Sequence, residues 1–189
     1  MHTVDNCLLK AMSRSNAACG FFHFFEKMKK YKKYVITLSQ VFPVTHIRKG
    51  EPTGFKDKFL AAIGKTECKW LKVHTIRANY DLWKKRFDEI EAGRACLCIR
   101  QWTGKPYCSK QVELAVLTKE DGIGLQSLVC NGYAWFYDTE DGTKFFTEVK
   151  GLENIAYNDG LSFEDWKEWF KKYDISKKLA IIHFTKFRY

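Results

Sequence analysis

The chain has 189 residues, and its 32 Lys and Arg against 22 Asp and Glu give a formal net charge of +10. An apolar content of 46%, an aromatic content of 16% and only three prolines exclude a disordered, collagen-like or low-complexity protein. No apolar run approaches the roughly 20 residues that a membrane-spanning helix needs. The length predicts a single domain with a tail, since a domain has roughly 150 residues.

The positive charge is concentrated at the N-terminal end. Residues 1–33 hold seven Lys and Arg against two acidic residues, which is half of the net charge. We expect a basic, poorly ordered extension at 1–33, with 1–27 outside the fold, followed by a folded domain at 34–189. A basic balance of this size favours an anionic partner such as nucleic acid or a nucleotide.

The cellular compartment is predicted from the order of apolar and basic residues near the N-terminus and from the number and spacing of the cysteines. The aromatic run at 21–25 precedes the lysine cluster, which is the reverse of a signal peptide, so we expect no export. The seven cysteines are an odd number and include no Cys-x-x-Cys pair. This usage is typical of reduced thiols in a cytoplasmic protein.

The first half of the domain alternates strands and helices. Residues 34–42 are β-branched and aromatic and end at Pro43, which predicts a strand. Helical spacing of apolar residues predicts helices at 54–63 and 79–92. A strand with an unusual polar load is predicted between them, at 69–77.

The second half is richer in strands. Residues 94–102 and 110–118 flank a turn and predict an antiparallel hairpin, and a second hairpin is expected at 133–149 with its turn at Asp141-Gly142. Residues 119–130 have no clear period. A strand is also expected at 179–187.

One more helix and the element order give the fold class. Ser162 is followed three positions later by Asp165, which predicts a capped helix start. Helices interspersed with hairpins favour an α+β fold with a mostly antiparallel, curved sheet. Its short strands could close a small β-barrel with flanking helices.

The sequence contains no P-loop, dinucleotide fingerprint, nucleophile elbow or zinc helix. The unusual segment is instead Lys72-Val73-His74-Thr75-Ile76-Arg77, which carries polar residues on both faces of a predicted strand. Such side chains in a sheet usually serve a ligand or a polar network. A second unusual segment is Asn158-Asp159-Gly160, where any turn former would do in place of Asp159.

These segments carry a resemblance. Lys-x-x-Thr-Ile-Arg at 72–77, Gly104-Lys105-Pro106-Tyr107, Asn158-Asp159-Gly160-Leu161-Ser162 and the closing Ile181-Ile182-His183-Phe184 together resemble the ASCH domain, over roughly residues 34–189. That family belongs to the PUA-like superfamily of small β-barrels. The resemblance implies a PUA-like barrel that binds RNA or modified nucleotides.

One small bacterial branch of that family hydrolyses N4-acetylcytidine with a Lys, a Thr and a Glu. The Lys and Thr match Lys72 and Thr75, and the Glu position falls on Asp159, whose side chain is one methylene shorter. The chemistry is plausible, because a Thr hydroxyl needs a nearby base such as a desolvated Lys, and a carboxylate can handle the proton of the leaving amine. Lys72 and Thr75 would face opposite sides of a regular strand, so the segment must bend for them to meet.

We therefore predict an RNA- or nucleoside-binding domain with a basic cleft and no cofactor, no metal and no membrane partner. The predicted catalytic set is Lys72, Thr75 and Asp159. The predicted ligand-binding set is Arg48, Lys49, His74, Arg77, Trp102, Tyr107 and Asn158. Trp102 and Tyr107 would supply a stacking face, or else serve the packing of the hairpin. Two alternatives stay open: an amidohydrolase acting on an N4-acylated cytidine or a related small amide, and a protein-interaction domain without a ligand.

Overall fold

The structure is a computed structural model that describes residues 31–130, 135–139, 142–146, 149–174 and 176–189. Most of the expected N-terminal extension lies outside these residues. The first strand begins at Lys32, two residues before the expected start of the domain, so Lys32 and Lys33 belong to the fold. Of the expected second turn, Asp141 also lies outside the described residues.

The described elements alternate as the sequence predicts, with two additions. They are β1 Lys32–Leu38, α1 Phe55–Ala62, β2 His74–Arg77, α2 Tyr80–Glu91, β3 Ala95–Trp102, β4 Gln111–Leu117, β5 Gly124–Cys130, β6 Trp135–Thr139, β7 Gly142–Phe146, α3 Val149–Asn158, α4 Phe163–Phe170 and β8 Leu179–His183. The sequence did not predict β5 or α3. The final strand ends at His183, four residues earlier than expected.

The strands form two sheets. One has the order β1-β3-β4, with β1 parallel to β3 and β4 antiparallel to it. The other has the order β2-β8-β5-β6-β7 and is antiparallel throughout. The α+β class with antiparallel-rich sheets is therefore confirmed, and no pairing among the described strands joins one sheet to the other.

The helices cover the sheets with their apolar faces. Phe55 and Phe59 on α1 are buried, as are Trp83, Phe87 and Ile90 on α2. Burying one such side chain contributes about 1.5–3 kcal/mol. No helix in the described ranges is long and apolar enough to span a lipid bilayer.

Candidate functional site

Regular strand geometry begins only at His74, so Lys72 stands outside β2. The Lys72 amide donates to the Lys58 carbonyl at 3.1 Å, on α1, and the Val73 amide donates to the Asn158 carbonyl at 2.9 Å. The expected strand at 69–77 is therefore wrong over its first half. In a regular strand the Lys72 and Thr75 side chains would point to opposite faces. Because Lys72 lies outside the strand, both side chains line the same cavity.

Asp159 is positioned by the end of α3. The Gly160 amide donates to the Tyr157 carbonyl at 2.9 Å and the Leu161 amide to the Ala156 carbonyl at 3.0 Å, which is the Schellman pattern of helix termination. Gly160 has φ +80°, and a Cβ there would lie 3.2 Å from the Lys72 Cβ. Glycine at this turn thus lets the helix end pack directly against Lys72 and brings Asp159 to it.

Lys72 and Asp159 form a buried ion pair. Their exposed fractions are 1% and 3%. The Lys72 ammonium donates to the Asp159 carbonyl oxygen at 2.6 Å and to its carboxylate Oδ1, and it lies 4.1 Å from the centre of the Phe55 ring. A buried charge is tolerated when it is paired and hydrogen-bonded, and both conditions hold here.

Burial shifts both partners towards their neutral forms. It lowers the pKa of Lys72 from 10.5 to about 8, although the Asp159 carboxylate favours the charged ammonium. It also raises the pKa of Asp159 above 3.8, although Lys72 and Arg77 favour the carboxylate. An amine with a pKa near neutrality can give up a proton, which an ordinary surface lysine does not do readily.

Thr75 and Arg77 share one face of β2 beside this pair. Thr75 is 2% exposed, and its hydroxyl makes no hydrogen bond to any residue that the structure describes. Arg77 donates to the Thr37 carbonyl at 3.2 Å and to its neighbour's carbonyl, on Ile76, at 3.0 Å. The hydroxyl is thus available to a ligand, while the guanidinium is tied to the end of β1.

The charged residues line a small inner cavity of about 50 Å³. Its walls are Thr37, Leu38, Ser39, Phe55, Lys72, Thr75, Arg77, Asp159, Leu161, Trp169 and Phe170. The sequence-predicted residues Lys72, Thr75, Arg77 and Asp159 are therefore brought together in one place. Five aromatic and aliphatic side chains and the hydroxyl residues Thr37 and Ser39 form the rest of the wall, and electrostatic interactions are stronger beside such apolar groups than in water.

An outer cavity of about 220 Å³ adjoins the inner one, because Thr37 and Ser39 line both. Its other walls include Trp102 at the end of β3 and Tyr107 in the loop that follows. The two rings lie 5.4 Å apart at 53°. The stacking pair predicted from the sequence thus lies next to the charged residues.

Tyr107 is held in a strained conformation. Its φ of 64° is in the left-handed region, which costs a residue with a Cβ about 1–2 kcal/mol, and its side chain is 90% exposed. Burial therefore does not compensate for the strain. A strained, exposed aromatic residue beside a cavity favours a role in ligand contact over hairpin packing.

The structure does not bring Arg48 and Lys49 into this cleft, because neither residue lines the inner or the outer cavity. Arg48 donates to the carboxylates of Asp165 and Glu51, at 2.7 and 2.8 Å, and covers the Phe42 ring. Its charge is thereby engaged in holding the 43–51 loop to α4. Lys49 is an exposed residue of the same loop.

His74 and Asn158 lie outside both cavities as well. The alternation of β2 points His74 away from Thr75, towards His183 and Tyr189, with ring-centre distances of 5.6 and 5.7 Å. The Asn158 amide donates to the Tyr189 hydroxyl at 3.1 Å. These two predicted ligand contacts form a partly buried network with Tyr189 instead.

Sequence reasoning missed several walls of the site. Thr37 and Ser39 come from the end of β1, and Phe55 and Trp169 come from two helices. The two aromatic residues fit the apolar spacing of a helix. A local sequence pattern does not distinguish an apolar side chain that lines a cavity from one in the core. Among the described residues no group of three or more His, Cys, Asp and Glu is arranged to hold a metal ion.

Comparison with protein-family models, with curated proteins and with solved structures gives no match to this chain.

Proposed function

We propose that this protein binds a modified nucleoside or nucleobase in the two adjoining cavities. The observation that supports the proposal is that Thr37 and Ser39 line both cavities, since one ligand that spans them would contact the aromatic pair and the charged residues together. A base would lie against Trp102 and Tyr107, since stacking on aromatic side chains is the usual mode of reading an unpaired base. Its exocyclic group would enter the inner cavity.

The sizes of the two cavities agree with a base in the outer one and its exocyclic group in the inner one. The inner cavity of about 50 Å³ is the smaller of the two and has room for a small substituent. The outer cavity of about 220 Å³ is the larger of the two, and Trp102 and Tyr107 lie in its wall. A planar base that carries a small polar group matches both compartments.

The inner cavity can also read such a group. Lys72 and Arg77 donate hydrogen bonds, the Asp159 carboxylate accepts them, and the Thr75 hydroxyl can do either. A ligand that lacks the polar group would leave the buried Thr75 hydroxyl without a partner, which costs about 1–3 kcal/mol. We therefore expect selectivity for a substituted base over the unsubstituted one.

The test is a thermal-shift and calorimetry screen of the full chain against nucleosides, including cytidine and N4-acetylcytidine. A ligand that binds only the folded state raises the melting temperature. We expect Trp102→Leu and Thr75→Val to weaken binding. Trp70→Leu serves as the matched control, because Trp70 stacks on Tyr157 and lines neither cavity. Binding that survives Trp102→Leu and Thr75→Val would contradict the proposal, as would the absence of any nucleoside ligand, which would favour a protein-interaction domain.

Free nucleoside and RNA are distinguished by salt. RNA affinity falls steeply with ionic strength because Lys and Arg displace counterions from phosphates, whereas a neutral nucleoside has no phosphate to neutralise. We expect a salt-insensitive affinity for the nucleoside. Short single-stranded RNA that binds more tightly than its nucleoside, with a steep salt slope, would instead identify RNA as the ligand.

A second candidate is amide hydrolysis, favoured by the free Thr75 hydroxyl beside Lys72. In that reaction neutral Lys72 would accept the hydroxyl proton as the Thr75 oxygen attacks the acyl carbon. The leaving amine would take that proton from the Lys72 ammonium through the Asp159 carboxylate, and water would then hydrolyse the acyl-threonine, which releases the acid and restores the Thr75 hydroxyl. The test is release of acetate from N4-acetylcytidine. We expect Thr75→Ala and Lys72→Ala each to abolish any turnover, and Asp159→Glu to maintain or raise it. Turnover that survives both alanine variants would remove these residues from the mechanism.

We also propose that the domain is a PUA-like barrel of the ASCH family and that it works in the cytoplasm. The family assignment is supported by the meeting of Lys72, Thr75 and Asp159, the positions matched to its motif, in one cavity. The location is supported by the free thiols of the described cysteines, at positions 68, 96, 98, 108 and 130.

A further inference from the structure

The Tyr189 hydroxyl bridges His74 and Asn158, the residues that precede Thr75 and Asp159 in the sequence. The Tyr189 hydroxyl lies 2.8 Å from the His74 Nε2 and 3.1 Å from the Asn158 Nδ2. Neither Tyr189 nor the other two residues line the inner or the outer cavity. The bridge is therefore not part of the ligand pocket itself.

The Asn158 amide nitrogen can only donate, so the Tyr189 oxygen accepts from it. The direction of the second hydrogen bond depends on the tautomer of His74, whose ring is neutral. Burial and the neighbouring His183 and Lys72 lower the pKa of His74 well below 6.5, in agreement with this assignment.

The bridge connects the two segments that supply the charged residues. His74 directly precedes Thr75, and Asn158 directly precedes Asp159. The main chain adds one direct link between the segments, the hydrogen bond from the Val73 amide to the Asn158 carbonyl. The Tyr189 hydroxyl is a second link, made through side chains.

Tyr189 is itself held on several sides. Its amide donates to the Gln126 side-chain oxygen at 3.0 Å, and its carbonyl accepts from the Gln126 side-chain nitrogen at 3.4 Å. Its ring lies 5.1 Å from the Tyr137 ring and 5.0 Å from the Phe187 ring. These contacts hold both the main chain and the ring of Tyr189, and thereby position its hydroxyl.

We propose that Tyr189 is a positioning residue, whose hydroxyl holds the Asn158–Asp159 turn against the His74–Thr75 segment and thereby sets the contact between Asp159 and Lys72. The proposal rests on the proposed function only for its effect on ligand affinity. Without the hydroxyl, the Asn158 amide and the His74 Nε2 would lose this partly buried contact. The His74 Nδ1 already has no partner among the described residues, so the ring would have no hydrogen bond at all. The segments would shift to relieve this cost.

The experiment compares Tyr189→Phe with Tyr157→Phe in the full chain. Tyr157→Phe is the matched control, because it removes a hydroxyl from a half-exposed ring on the same turn of α3 and leaves the bridge intact. The readout is the titration of the Lys72 side chain by NMR with labelled lysine, its signal being assigned by its loss in Lys72→Met. The charged groups that act on Lys72 are Asp159, Arg77 and Lys58.

We expect the titration midpoint of Lys72 to fall by about one pH unit in Tyr189→Phe, since a receding carboxylate leaves the burial of the ammonium uncompensated. Asn158→Leu should give the same shift. The double variant should add little to either, because both substitutions remove one link. An unchanged midpoint in Tyr189→Phe, or additive shifts in the double variant, overturns the positioning role.

Ligand affinity is measured on the same variants. We expect a nucleoside found in the screen to bind roughly 10-fold more weakly to Tyr189→Phe, the loss that corresponds to one hydrogen bond. If the wild type binds no nucleoside, the proposed function fails, and the Lys72 titration still decides whether Tyr189 positions the pair.

Discussion

The Lys72 ammonium makes two contacts with one residue, Asp159, which lies 87 positions further along the chain. It donates to the main-chain carbonyl of Asp159 at 2.6 Å and to its carboxylate. Taking two charges out of water costs several kcal/mol for each ion, which their attraction offsets only when the geometry is good. A buried pair of this kind is therefore better explained by the chemistry of a site than by a gain in stability.

The first prediction separates these two explanations. Lys72→Met or Asp159→Leu alone should lower the free energy of unfolding by about 3–5 kcal/mol, because each leaves the other charge buried and unpaired. The double variant Lys72→Met/Asp159→Leu should recover most of that loss, while ligand binding stays lost. Urea unfolding and calorimetry measure the two effects.

The matched control for this prediction is an exposed pair. Lys84 and Asp88 on α2 are 3.2 Å apart, and both are largely exposed. Lys84→Met should change the unfolding free energy by less than about 0.5 kcal/mol. A double variant at the buried pair that is as unstable as either single variant would show that the pair stabilises the fold.

The second prediction concerns pH. The pKa of Lys72 is lowered from 10.5 to about 8 by burial, so between these values the unfolded chain binds more protons than the folded chain. The contribution of Lys72 to stability should therefore rise with pH from about 8 to 10.5. Urea unfolding of wild type and of Lys72→Met/Asp159→Leu over this range isolates it. Parallel curves for the two proteins would contradict the shifted pKa.

The third prediction separates the ring of Tyr107 from its strained backbone. Tyr107→Ala and Tyr107→Gly both remove the ring and should both weaken nucleoside binding by about 1–3 kcal/mol, the contribution of one stacked aromatic side chain. The glycine variant should be more stable than the alanine variant by about 1 kcal/mol, since only glycine adopts the left-handed conformation without strain. Tyr107→Phe should bind like wild type. Equal stability of the alanine and glycine variants would contradict the strain.

The fourth prediction concerns Arg48 and Lys49, which sequence reasoning assigned to the cleft. Arg48→Met should lower stability by about 1–3 kcal/mol, because the buried Asp165 loses its charged partner. Neither Arg48→Met nor Lys49→Met should alter nucleoside affinity by more than a factor of two or so, well below the 10-fold change that about 1.4 kcal/mol produces. A large loss of nucleoside affinity in Lys49→Met would contradict this prediction and indicate that Lys49 contacts the ligand.

The elements that sequence predicts well are those set by local pattern. The helix at 163–170 starts where Ser162 accepts a hydrogen bond from the Asp165 amide, as its spacing predicts. Strand β5 was not predicted, because it is buried on both faces and its sequence therefore does not alternate between apolar and polar residues. It also begins at Gly124, which the sequence suggests as a breaker. In the structure this glycine starts a strand, and the atoms nearest to a Cβ there would be those of the flexible Arg188 guanidinium.

The site was predictable only in part for a similar reason. The polar load of 72–77 and the choice of Asp159 mark residues that local structure does not require. The ion-pair partner of a surface cation, by contrast, cannot be identified from local sequence. The partner of Arg48 is Asp165, which lies 117 positions away. His74 and Asn158 were assigned to the ligand by their neighbours, although strand alternation and the helix end turn them to the opposite side.

The parallel pairing of β1 with β3 determines when the pocket can form. Antiparallel neighbours such as β3 and β4 can pair through a short loop, whereas β1 must find β3 across about 60 residues of chain, and long loops are slow to close. Thr37, which accepts from Arg77 across 40 positions, is a wall of both cavities. During refolding, recovery of nucleoside binding should therefore lag behind recovery of helix and hairpin signals, so that ligand capture marks the moment at which the first strand docks.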